Sequence, residues 1–378
     1  MPILHVITGL GDGGAQRALY ALCNADVTDD HIVVSLGFPD KYSELLERAG
    51  VAVHHLGISQ RRLNWKGMLQ LYRLLRRHRA QTVQTWMYHA NLVGGILARI
   101  AGCRRVHWNI RHTHLVPGTV GRTTRVVDWL CARLSRYVPE SIVACAERAR
   151  DVHIANGYAS EKFTVIPNGY DTSVFLQDSG VRARVRKEWG VEPSTPVVGL
   201  VARWNPQKDH RNLISAVAQV RKDWPALQLV LAGSHCDQSN SVLLQYLDGA
   251  GLSAGVHLLG RCADVPGIMN GLDVHILSSS HGEAFPNVVA EAMACGTPCV
   301  VTDVGDASLI VGDSGWVASP RDSLALAQAI AAALSEWEDP DKWSRRRRAA
   351  QQRIIDEFSL ESMVARYREV WGSGLQKG

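Results

Sequence analysis

The chain of 378 residues is 46% hydrophobic and 20% charged, ordinary for a globular protein and comfortable for two domains, which argues against a disordered chain. No window reads as a membrane span, since the strongest, Leu92–Gly102, is short and carries Arg99, and eight cysteines without paired spacing exclude a disulfide framework or a zinc ribbon. The net charge of +5 is uneven: residues 1–178 hold 21 Lys/Arg against 14 Asp/Glu, the remainder holds 20 against 22, and no acidic residue falls between Glu47 and Asp128.

Met1 to Gly9 lacks the basic region and cleavage site of a leader and reads as a first strand, Ile3–Thr8. It runs into Gly9-Leu10-Gly11-Asp12-Gly13-Gly14, with a helix from Ala15. Formally this is the GxGxxG dinucleotide fingerprint, but the second strand, His31–Leu36, ends without the acidic residue that would hold a ribose. What survives is a loop whose glycines let backbone approach an anion at a helix N-terminus. Further strands are expected at Ala52–Leu56, Thr82–Trp86, Arg105–Ile110, Ser141–Cys145 and Lys162–Ile166. A polar helix, Val181–Trp189, then Glu192-Pro193-Ser194-Thr195-Pro196 mark a seam. A second series follows at Pro196–Val201, Leu227–Ala232, Val256–Leu259, Val274–Leu277, Pro298–Thr302 and Gly315–Val317. These runs are short, Val/Ile-rich and bounded by Gly, Pro or Asn, and they alternate with helix-length segments, so each series predicts a doubly wound parallel sheet. Apolar residues at Leu360, Met363, Val364, Tyr367, Val370 and Trp371 predict a closing amphipathic helix. The run Arg345–Arg348 is expected on a solvated helix face, and Asp339-Pro340-Asp341 as a helix stop.

The chemistry concentrates in the second series. After the strand ending at Val201 come Arg203 and Lys208, two cations at the strand end where open α/β sheets bind ligands. A departing pyrophosphate needs such neutralisation. The segment His281-Gly282-Glu283-Ala284-Phe285-Pro286-Asn287-Val288-Val289-Ala290-Glu291 puts one carboxylate just before a helix and another two turns into it. Pro286 suits a first helical turn, which aims the N–H groups of Asn287 and Val288 outward. Ala290, Ala292, Met293 and Ala294 argue against a purely solvated Glu291.

Together, Arg203 with Lys208, Glu283 with Glu291, the Ala292-Met293-Ala294-Cys295-Gly296-Thr297-Pro298 run behind them, and Pro167-Asn168-Gly169-Tyr170-Asp171 resemble the retaining glycosyltransferases of family 4, over nearly the whole chain. The resemblance implies a GT-B architecture of two Rossmann-like domains facing across a cleft. Residues 1–178 would form the acceptor domain, joined by a returning helix at 360–375, and residues 194–358 the donor domain. It also implies roles. Arg203 and Lys208 would hold the donor diphosphate, with the Val288 N–H beside them. Glu283 would bind sugar hydroxyls next to Phe285, Pro286 and Asn287, Glu291 would hold the ribose, and Asp264 would lie by the nucleobase. Gly13 and Gly14 would face the donor from the first domain, with Gln16, Arg17 and Arg111 on the acceptor side. A family histidine near the sugar corresponds to His112 or Arg111 in Asn109-Ile110-Arg111-His112-Thr113-His114, with His112 favoured.

The expected reaction is transfer from an NDP-sugar, UDP-sugar favoured, with retention, through stabilisation of the leaving diphosphate and orientation of the acceptor. No cofactor and no metal is called for. The acid-free stretch suggests an anionic or lipid-linked saccharide acceptor, in surface polysaccharide, O-antigen or lipopolysaccharide synthesis, and a cytoplasmic protein held peripherally at an anionic inner membrane face. Nucleic acid is not expected, because that stretch has no recognised binding module and its Trp65 and Tyr72 read as packing residues. The alternatives are an epimerase of the same architecture, for which no acid–base set assembles around a sugar ring, and a non-catalytic NDP-sugar binder.

Overall fold

A computed structural model describes residues 2–58, 64–113 and 121–372; His114 lies outside them. The chain forms two compact units, Met1–Gly169 with Leu360–Gly378, and Tyr170–Ser359. The division therefore falls at Gly169, ahead of the polar seam.

The first unit alternates β1 (Ile3–Ile7), α1 (Gly14–Ala25), β2 (His31–Ser35), α2 (Lys41–Arg48), β3 (Ala52–His55), α3 (Trp65–Arg77), β4 (Thr82–Trp86), α4 (Tyr88–Ile100), β5 (Arg105–Ile110), α5 (Arg122–Leu134), β6 (Ser141–Ala144), α6 (Glu147–Ala155) and β7 (Phe163–Val165). Its sheet has the order β3-β2-β1-β4-β5-β6-β7, with every pairing parallel. Alternate residues of β1 feed opposite faces: Leu4 and Val6 join Leu71, Leu75, Ala98 and Cys131 on one side, Ile3 and Ile7 join Leu19, Leu22 and Leu46 on the other. Trp65, read as a packing residue, is instead exposed, because it stands in the first turn of α3, ahead of the apolar stripe that begins near Leu71. Tyr72 does pack against the core.

The second unit continues with α7 (Ser179–Glu188), β8 (Val197–Val201), α8 (His210–Val220), β9 (Gln228–Ala232), α9 (Ser241–Gly249), β10 (Val256–Gly260), α10 (Val265–Gly271), β11 (Val274–Leu277), α11 (Asn287–Ala294), β12 (Cys299–Thr302), α12 (Ala307–Val311), β13 (Trp316–Ala318), α13 (Ser323–Trp337) and α14 (Pro340–Glu357). Its sheet is parallel, in the order β10-β9-β8-β11-β12-β13. The polar α7 belongs to this unit: Arg182 and Arg186 each reach a different oxygen of the buried Asp273 carboxylate at 2.5 Å. Asp339-Pro340-Asp341 starts a helix as well as stopping one, since the Asp339 carboxylate accepts from the Asp341 and Lys342 N–H groups and Pro340 occupies the first turn of α14. Of the Arg345–Arg348 run, Arg346 pairs with Glu336 at 2.9 Å and Arg347 donates to the Gly296 carbonyl, so only part of it is a solvated face.

The closing helix α15 (Leu360–Trp371) completes the first unit. Met363, Val364, Tyr367 and Trp371 fill the α1 side of the core. Trp371 Nε1 donates to Gln84 on β4 at 3.0 Å, Asn109 Nδ2 on β5 donates to the Tyr367 hydroxyl at 2.6 Å, and Arg368 bonds the Asp26 carboxylate. Behind Asp26 runs a buried chain of rings. Trp86 Nε1 donates to His5 Nδ1 at 3.2 Å, which leaves the His5 proton on Nε2, facing His31 Nδ1 at 3.0 Å. His31 Nε2 then lies 3.4 Å from Asp26. Burial opposes the Asp26 charge, but the bonds from His31, Arg368 and the Thr28 N–H outweigh it and hold the carboxyl well below the usual range.

Candidate active site

In the second unit the reactive side chains gather at the C-terminal ends of β8 and β11, adjacent strands at which the sheet order reverses direction. After β8 the chain passes Arg203 and enters a single 3-10 turn, Pro206–Lys208, whose opening is capped by Asn205 Oδ1 accepting from the Gln207 N–H at 2.9 Å. Asp209 takes a left-handed φ of +47° and caps α8. The turn aims Lys208 inward, so that its Nζ lies 2.5 Å from Glu283 Oε1. Ser279 Oγ donates to the same oxygen at 2.6 Å, and Ser278 Oγ fixes the Lys208 carbonyl at 2.7 Å. Arg203 is exposed and has no ion pair among the described residues.

Two glycines permit this packing. At Gly233 (φ +142°) a Cβ would stand 2.1 Å from the Ala202 carbonyl oxygen, so the end of β9 presses directly on the Arg203 turn. At Gly305 (φ +64°) a Cβ would stand 2.6 Å from the carbonyl oxygens of Glu283 and Ala284, and the neighbouring Asp306 N–H donates to the Ala284 carbonyl at 2.9 Å. The loop after β12 thus clamps the Glu283 loop.

Pro286 is the N-cap of α11 and carries no side-chain cap, so the first N–H groups of Asn287 and Val288 lack an intrahelical acceptor. Asn287 Oδ1 accepts from the Tyr170 hydroxyl at 2.7 Å, and the buried Phe285 ring stacks on Tyr170. Glu291, one turn on, is 1% exposed. Asp264, expected by the nucleobase, also caps α10: its carboxylate accepts from the Gly267 N–H at 2.8 Å and lies 3.4 Å from Arg184.

In the first unit Gly13 is the extended N-cap of α1, followed by Gly14, and Gln16 Nε2 donates to the Gly9 carbonyl at 3.0 Å to close the loop. Arg17 lies in the next turn of α1. After β5, Arg111 and His112 part company. Arg111, expected on the acceptor side, turns inward: Nε donates to Asn109 Oδ1 at 3.0 Å, Nη2 to the Tyr367 hydroxyl at 2.8 Å and Nη1 to Asn168 Oδ1, with the guanidinium over the Trp86 ring. His112 is the exposed member of the pair; desolvation by the surrounding chain and the charge of nearby His153 lower its pKa.

Two profiles of one family match the two halves: "Glycosyltransferase Family 4" over residues 12–174 and "Glycosyl transferases group 1" over residues 195–336. The chain belongs to glycosyltransferase family 4. This family-4 enzyme has the GT-B fold, uses a nucleotide-sugar donor and retains the anomeric configuration. A crystal structure of Anabaena Alr3699/HepE in complex with UDP is similar with a TM-score of 0.84 and 25% identity, covering 99% of this chain and 100% of that one. Glycogen synthase of Mycobacterium tuberculosis is 25% identical over 86% of this chain and 72% of its own. The UDP-Gal:alpha-D-GlcNAc-diphosphoundecaprenol alpha-1,3-galactosyltransferase of Escherichia coli is 25% identical over 65% and 64%.

Residues beyond the motif cations and carboxylates also hold this arrangement. Ser278 and Ser279 were signalled only by lying just past the apolar strand β11, and Tyr170 by its place in the Pro167–Asp171 motif. His5, Cys23 and His31 bring three ligand atoms within 4.8 Å of one another, the one such group among the described residues. Their ring nitrogens already share a hydrogen bond, and burial raises the Cys23 thiol far above its ordinary value, so the cluster acts as core hydrogen bonding.

Proposed function

We propose that the enzyme moves a sugar from a UDP-sugar to an anionic or lipid-linked saccharide in surface-polysaccharide, O-antigen or lipopolysaccharide synthesis. The observation that carries the donor half is the Lys208–Glu283–Ser279 cluster at the switch point of the second sheet. Glu283, held by Ser279 and Lys208, binds sugar hydroxyls of the donor. Lys208 and the exposed Arg203 neutralise the departing diphosphate together with the first N–H groups of α11, and these interactions strengthen as negative charge develops. That division of labour gives leaving-group stabilisation to side chains and helix N–H groups and assigns no step to a metal. Glu291 holds the ribose, and in the first unit Gly13, Gly14 and His112 are the candidate binding residues. UDP is favoured because the similar HepE structures contain UDP, or UDP and glucose, and the Escherichia coli relative is named for UDP-Gal.

The acceptor half rests on charge. The acid-free interval from Glu47 to Asp128 favours a phosphate-bearing acceptor, of which the diphosphoundecaprenol named for the Escherichia coli relative is an example. Among the described residues no helix is long and apolar enough to cross a membrane, so the reading is peripheral association with an anionic cytoplasmic face.

Thermal stabilisation by UDP, GDP, ADP and CDP tests the donor assignment. UDP is expected to raise the melting temperature of the wild type most, and Glu291→Ala to lose most of that shift. A larger shift with GDP would overturn the nucleotide, and an undiminished UDP shift in Glu291→Ala would overturn the role of Glu291.

A further inference from the structure

Four arginines of the first unit, Arg76, Arg79, Arg104 and Arg105, surround a surface concavity of about 660 Å³, floored by Ala101 and Gly102. It lies where α3 and α4 end and β4 and β5 begin. Strand β5 runs from here to the loop carrying His112, seven residues on, which at about 3.3 Å per residue puts the concavity about 20 Å from that loop. An anion bound here is therefore remote from His112 and the Gly13 loop.

Several arginines elsewhere have carboxylate partners: Arg182 and Arg186 have Asp273, Arg346 has Glu336, Arg353 has Glu357 and Arg368 has Asp26. None of the four around the concavity has an ion pair among the described residues. Their bonds are to main-chain carbonyls, Arg105 to Trp371 at 2.7 Å and Arg76 to Ala101 at 3.5 Å. A bland explanation is that they satisfy helix C-termini. Three helices, α3, α4 and α15, end beside these arginines, and each end is equivalent to about −0.5 of a charge. Three such ends offset less than half of four full positive charges. Arg79 and Arg104 make no carbonyl bond at all among the described residues, and Arg73 and Arg77 on α3 add to the same field.

We propose that this concavity is a second anion site, separate from the transfer site, which takes a phosphate-bearing ligand of at least two negative charges. Planar guanidinium forks match phosphate oxygens in pairs, and several converging forks favour a di-anionic or larger group over chloride. The phosphate can come from a soluble molecule or from a lipid headgroup, and the test separates the two. Inorganic pyrophosphate is titrated calorimetrically into the full chain and into Arg79→Gln/Arg104→Gln and Arg79→Glu/Arg104→Glu variants. These positions are chosen because neither side chain holds a carbonyl. The same proteins are floated with phosphatidylglycerol vesicles and with phosphatidylcholine vesicles. The expected result is that one class of pyrophosphate site, or retention on phosphatidylglycerol vesicles, weakens about tenfold or more in both variants while stabilisation by UDP is unchanged. Loss of pyrophosphate binding alone assigns a soluble ligand; loss of vesicle retention alone assigns a headgroup. Equal binding of both probes by wild type and variants, or no binding of either by the wild type, overturns the site. A failure of UDP to stabilise any of the proteins bears on the donor reading and leaves this comparison intact.

Discussion

Lys208 and Glu283 stand 75 residues apart in the chain, yet Nζ and Oε1 approach to 2.5 Å in a partly buried setting. In the donor site proposed above, a pair fixed this way would present its charges without reorganisation at the moment of transfer. Lys208→Ala is expected to lower kcat about 10²–10³-fold with a smaller change in the donor KM, because the cation matters most as the diphosphate leaves. Steady-state kinetics checks this, and a rise in KM with kcat unchanged would assign Lys208 to ground-state binding only. Position made both residues candidates, since cations past one strand and a carboxylate before a helix lie where parallel sheets bind, and the set of motifs together gave them roles. It could not show Ser279 behind Glu283, nor the direction of Arg111. The partners of Arg111 come from three distant segments, at Asn109, Asn168 and Tyr367, and motif adjacency says nothing about which way a side chain turns. Asp264 shows the same limit: an acid before a helix reads equally as ligand group or cap, and here its carboxylate accepts from the Gly267 N–H.

Among elements, α15 carries the clearest consequence. Trp371 is 1% exposed and touches both Gln84 and, through its carbonyl, Arg105. Trp371→Ala is expected to destabilise the first unit by about 3–5 kcal/mol, read as an earlier denaturant transition for that unit with the second unit's transition unmoved. A single shifted transition would mean that the units unfold together. The strands were legible because buried parallel strands are short Val/Ile runs between Gly, Pro or Asn, as β8 and β12 show. Polar helices were harder. Composition made α7 read as a polar helix at the seam between domains, whereas its arginines converge on Asp273, a residue about 90 positions away whose burial no local pattern reveals.

For the whole molecule, buried imidazoles set the response to acid. Burial, with the Lys208 charge adding to it, lowers His210 to about 4 and His275 to about 3, and burial with nearby arginines lowers His107 to about 4. Unfolded, these groups take up protons near their ordinary value of about 6.5, so between that value and the folded ones the unfolded chain binds more protons. Stability is full above about pH 6.5 and falls by up to about 1.4 kcal/mol per pH unit for each group as the pH drops. Urea midpoints at about pH 7.5 and about pH 5 should show the loss, and His275→Gln should reduce it. Equal midpoints would show that these rings are protonated when folded. Depressed carboxylates such as Asp26 act at still lower pH, outside that interval.

The order of synthesis gives the discontinuous first unit one more property. Its seven strands are complete once Val165 has been made, but the helix that covers Ile3, Ile7 and Trp86 is translated only after all 190 residues of the second unit. On the ribosome, the first unit waits with one apolar face open while its neighbour is synthesised and folds. A nascent chain halted anywhere in the second unit displays that face, and so is a substrate for holdase chaperones until Trp371 emerges.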